Sequence, residues 1–120
     1  MYKCINGWTK KKMLKVVNAR RYSKPAIDKT TGSCLYLAAN GNKCAVGLFI
    51  PKGHAGQKFS GIAYDLFNHY EDLPARMPLS QIGMTEFQES HDSETYNDGQ
   101  KFNGNAKEAM IAWVKKNVED

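Results

Sequence analysis

Cysteine and histidine are the side chains in this sequence best able to do covalent or proton-transfer chemistry. There are six of them: Cys4, Cys34, Cys44, His54, His69 and His91. Cys44 follows Lys43, whose positive charge favours the reactive thiolate. His91 precedes Asp92, which places an imidazole beside a carboxylate. A cysteine nucleophile, a histidine base and an acidic orienting group make a workable thiol-enzyme set, so Cys44, His91 and Asp92 are the catalytic candidates. Two facts oppose that reading. Neighbours in sequence rarely orient one another as a triad requires, and free cysteine is among the residues most often simply packed in a core.

The same pool makes a poor metal site. Zinc needs three or four converging ligands, and strong zinc signatures bring them in close Cys-x-x-Cys or His-x-x-x-His pairs. No such pair occurs, so neither a metal nor another cofactor is expected. The glycine-rich phosphate loops, the G-x-S-x-G elbow and the H-E-x-x-H helix are also missing.

Charge is the next signal. The 120 residues carry a net +5, unevenly spread. Before Asp28 the chain has Lys3, Lys10, Lys11, Lys12, Lys15, Arg20, Arg21 and Lys24 and no acid, whereas Gln81 to Gln100 holds Glu86, Glu89, Asp92, Glu94 and Asp98 and no Lys or Arg. The molecule should therefore have a positive end and a negative patch. Lys10, Lys11, Lys12 and Lys15 read either as a solvated helix face or as a surface for acidic or phosphate-bearing partners, nucleic acid included.

These residues need elements to hold them. Thr9 is suited to cap a helix carrying Met13, Leu14 and Val17 on one face, with Trp8 as a hydrophobic staple. Ser23 to Gly32 reads as a polar connection. Ser33 to Ala38 and Lys43 to Ile50 flank Asn40-Gly41, a strong cue for a β-hairpin, and Pro51 ends the second strand. In that hairpin neither register lets Cys34 reach Cys44 for a disulfide. Ser60 to Tyr70 has helical spacing, and a short helix is expected from Thr85 to about Ser90 with Met84, Phe87, Gln88 and His91 on one stripe. His91 to Gly104 reads as loop. Asn105 and Glu108 open a last helix with Ala106, Ala109, Met110, Trp113 and Val114 on its apolar face. The expected fold is α+β: a single domain spanning 1–120 in which a β-hairpin, with or without a third strand, is packed by three to four helices.

Apolar residues make up 42% of the chain, enough for one core, and no run nears the roughly 20 residues a membrane span needs. The opening residues lack a signal-peptide pattern, and three cysteines are an odd number, so free thiols in a reducing cytoplasm are expected.

Several segments together resemble a family of small tailed-bacteriophage proteins. They are Cys34-Leu35-Tyr36, Gly41-Asn42-Lys43-Cys44-Ala45-Val46-Gly47, Ile50-Pro51 and Phe87-Gln88-Glu89-Ser90-His91-Asp92. Leu48 stands where many members carry another cysteine, and Lys52 where an acid is usual. The resemblance implies a phage protein working in the host cytoplasm. Proteins of that kind often act by binding a host factor or a signalling nucleotide, for instance against host defence. It directs attention to Tyr36, Lys43, Gln88 and His91 as polar groups near a binding site.

Overall fold

The computed structural model describes residues 1–20, 36–37, 43–59, 62–93 and 105–120. Helix α1 (Lys10–Asn18) begins where Thr9 Oγ1 accepts the Lys12 amide proton at 3.1 Å. It buries Met13 and Val17, leaving Lys11, Lys12 and Lys15 in solvent. Helix α2 (Ala63–His69) buries Ala63, Leu66 and Phe67. Helix α3 spans Gln81–Ser93, and helix α4 spans Ala106–Asn117. Asn105 caps α4 by accepting from the Glu108 amide at 3.1 Å, and Ala106, Ala109, Met110, Trp113 and Val114 are buried on the expected face. In packing order α4 lies between α1 and α3, and α2 packs on α3.

Helix α3 is longer than its local signals suggest. Ser80 Oγ accepts from the Gly83 amide at 3.3 Å, so the helix starts a turn before Thr85. It also continues through His91 and Asp92, which the sequence reading assigned to a loop. The hydroxyls of Thr85 and Ser90 donate to the carbonyls of Gln81 and Phe87, at 2.8 and 2.6 Å, so these polar side chains are satisfied inside the helix.

The expected β-hairpin is corrected by the structure: the described residues form helices and short 3₁₀ turns, with no strand, so the fold is not α+β. The only β-type pairing among them is an isolated bridge between Tyr2 and Val118. Val46–Phe49 is a 3₁₀ turn, entered through Ala45 in helical conformation. The Leu48 amide donates to the Cys44 and Ala45 carbonyls at 3.1 and 3.3 Å, and the Ile50 amide to Gly47 at 3.3 Å. Of the other proposed strand, only Tyr36 and Leu37 are described, as a bend; Asn40-Gly41 lies outside the described residues.

The physical reason lies in burial and in a distant glutamine. Cys44 to Ile50 is apolar throughout, and a short unbroken apolar run has no period to separate a buried strand from a buried turn. Here Val46 donates its N–H to Gln88 Oε1 at 2.9 Å, taking from α3 the hydrogen bond a neighbouring strand would have supplied. Phe49, at the end of the turn, meets Trp8 edge-on at 5.2 Å and Phe87 at 6.0 Å, and Phe87 lies 5.7 Å from Trp113. Trp113 in turn stacks on Tyr2 at 5.8 Å. These aromatic contacts tie the segment to α3, α4 and the chain's first residues.

An Asn-Gly turn does form at Asn6-Gly7, where both residues have positive φ (57° and 79°) and Trp8 donates its amide proton to Ile5. Asn6 Nδ2 donates to the carbonyls of Pro74 and Met77, both at 2.9 Å, which straps the N-terminal segment across the chain leading into α3.

Candidate functional site

The inward stripe of α3 brings Met84, Phe87, Gln88 and His91 into the core, and all four are buried. Gln88 organises the centre of this face. With its oxygen held by Val46, its Nε2 donates to Asp92 Oδ1 at 2.7 Å, one helical turn further on. The same carboxylate oxygen is 2.9 Å from His91 Nδ1. A carboxylate can only accept, so Nδ1 carries a proton. Adjacent residues thus do meet here, because a helical backbone lets Asp92 fold back on the preceding imidazole.

Cys44 lies two residues before the Val46 amide that Gln88 holds. Tyr36 comes to the same segment from the other side, with its carbonyl oxygen against Gly47. The Lys43 carbonyl accepts from the buried Arg20 at 3.3 Å. Tyr36 and Gln88 therefore both meet the stretch of chain from Lys43 to Gly47 that carries Cys44, and His91 lies one helical turn beyond Gln88 on α3.

That locus is closed. Cys44 is 1% exposed and His91 0%, with Tyr36 and Gln88 also buried and Asp92 at its outer end. A nucleophile and base so enclosed cannot meet a substrate without opening the core. What this arrangement does chemically is fix the Cys44–Gly47 turn to α3. Neither Cys4 nor Cys44 is in a disulfide, and partial burial pushes the Cys4 thiol up from its ordinary value. Cys34 lies outside the described residues. Among the described residues no group of three His, Cys, Asp or Glu side chains is placed to hold a metal.

The lysines form a different site, on the surface. Lys10 Nζ donates to the Lys115 carbonyl at 2.9 Å, near the C-terminal end of α4, and lies 3.6 Å from Asp120. This contact sets the start of α1 beside the end of α4, so the ammonium that opposes the α1 dipole meets the negative end of α4. Lys11, Lys12 and Lys15 are exposed and enter no salt bridge among the described residues. Lys115 and Lys116 add to the same end of the molecule. A groove of about 420 Å³ runs along α1, lined by Lys10, Lys11, Leu14, Lys15, Asn18 and Asp120.

One cluster escaped the sequence reading. His54 Nδ1 accepts the Gly56 amide proton at 2.9 Å and Nε2 donates to Asp72 at 2.8 Å, with Arg76 Nε 3.9 Å from the same carboxylate oxygen. The hydrogen bond from His54, helped by the Arg76 guanidinium nearby, holds the Asp72 carboxyl below the usual carboxylate range. The four-residue spacing of Asp72 and Arg76 was a visible signal, but the partner 18 residues earlier was not.

Comparison of the chain with protein-family models, with curated proteins and with solved structures gives no match in any of the three. No helix among the described residues is long and apolar enough to cross a membrane.

Proposed function

We propose that this chain is a tailed-phage accessory protein that acts by binding, using the basic face of α1 and the end of α4 to hold an acidic host protein or a nucleotide. The observation that supports this most is the exposure of Lys11, Lys12 and Lys15 beside Lys115 and Lys116 at one end of the molecule. Like charges gathered in this way raise the local concentration of anions and the rate of encounter with them. The closed state of Cys44 and His91 favours binding over thiol catalysis. A role against host defence rests on the phage-like signature and follows from neither the fold nor the charge.

Titration of the whole chain with a fluorescent nucleoside triphosphate, with polyglutamate and with duplex DNA, each over a range of salt, tests the reading. Binding to at least one probe should weaken as salt rises. In the Lys11→Glu/Lys12→Glu/Lys15→Glu variant it should fall at least about tenfold, the effect of 1.4 kcal/mol. Equal binding by the variant sinks the proposal. Selective, salt-steep retention of DNA would place the partner among nucleic acids.

A further inference from the structure

Five large apolar side chains stand in solvent among the described residues, and three of them, Ile62, Tyr64 and Ile82, belong to α2, its N-terminal flank and α3. Tyr64 is 56% exposed and Ile82 71%. Between them runs a groove of about 260 Å³, completed by Gln81, Thr85 and Glu86. Asp65, beside Tyr64, is also exposed. This edge is apolar with an acidic border.

The groove along α1 has the opposite character. Leu14 and the aliphatic stems of Lys10, Lys11 and Lys15 give it an apolar lining, and their ammonium groups give it a basic rim. Asp120 engages Lys10, which leaves Lys11 and Lys15 to meet an incoming acid. Helix α4 lies between α1 and α3, so within one molecule the two surfaces do not pack together.

We propose that the α2–α3 edge of one copy docks on the α1 groove of another, with Ile82 and Tyr64 against Leu14 and with Asp65 and Glu86 facing Lys11 and Lys15. The argument is complementarity: this chain carries both an acid-bordered apolar edge and a lysine-rimmed apolar groove. The contact joins unlike surfaces, so in a pair one copy keeps a free edge and the other a free groove, and association continues beyond a pair. The inference shares Lys11 and Lys15 with the anionic-partner reading, but it needs the apolar α2–α3 edge as well and survives a failure to bind any nucleotide or polyanion.

Sedimentation velocity of the whole chain decides it. At low salt the weight-average mass should rise with concentration past about twice that of the monomer, and added salt should reverse the rise. Ile82→Lys should remain monomeric. So should Asp65→Lys/Glu86→Lys and Lys11→Glu/Lys15→Glu when each is alone, yet an equimolar mixture of these last two should associate, because each then offers what the other lacks. A wild-type chain that stays monomeric at every concentration it tolerates overturns the proposal, as does association undiminished in all three variants. A monomeric chain that binds a Lys/Leu amphipathic peptide through Ile82 also overturns it, and assigns the edge to a foreign basic partner.

Discussion

Asp72 and Gln88 show how single polar side chains fix this chain at points where local patterns are silent. Asp72 is solvent-facing and takes its low pKa chiefly from the His54 hydrogen bond. A carboxyl held lower in the folded than in the unfolded chain stabilises the fold above its unfolded pKa, and that contribution is lost as pH falls through the folded value. Urea unfolding measured down the acid range should therefore lose part of its slope with pH in Asp72→Asn, which should also be less stable than wild type at neutral pH. Identical pH profiles would mean the clasp does not couple to folding. Gln88 acts in the core, where it accepts from Val46 and donates to Asp92. Gln88→Leu keeps the bulk but strands a buried amide proton, which should cost about 1–3 kcal/mol. An unchanged unfolding midpoint would show that the Val46 amide finds another acceptor. The sequence marked Gln88 and His91 as sharing a stripe. It could not reveal that Gln88's partner is Val46, because a contact 42 residues away leaves no trace in local spacing.

Among the elements, those announced by their own ends were readable. Helix α4 has a cap at Asn105 and an apolar face of regular period, and both signals act within a few residues of chain. The Lys43–Ile50 segment has neither, and its conformation is set by what it packs on. Gly47 makes the difference testable. A β-carbon there would be driven into the carbonyl oxygen of Tyr36 and come 2.9 Å from its carbonyl carbon, both backbone atoms that cannot rotate aside. In a strand, alanine would be accepted at this position or even favoured over glycine. Gly47→Ala should instead lower stability by about 1–3 kcal/mol, as overpacked core sites do. Thermal unfolding followed by far-UV circular dichroism provides the measurement, and a neutral or stabilising effect would restore the strand.

At the scale of the molecule, the unequal spread of charge was plain in the residue counts, but its geometry depended on packing. Only the meeting of the start of α1 with the end of α4 brings Lys10 and its neighbouring lysines beside Lys115 and Lys116. The core shows the same dependence on distance. Buried residues from all four helices and from the Cys44–Ile50 segment belong to one cluster, and the aromatic series Trp8, Phe49, Phe87, Trp113, Tyr2 crosses it. The two tryptophans report on different places: Trp8 precedes α1 and donates its indole N–H to Arg76, whereas Trp113 is buried in α4. If the cluster behaves as one core, neither end can melt alone, and unfolding is all-or-none. Trp8→Phe and Trp113→Phe each leave a single reporter. Within each variant, urea curves from the remaining tryptophan and from circular dichroism should coincide. Separated midpoints would divide the basic α1 end from the α3–α4 body, and the lysine face would then rest on an element that can open independently of the core.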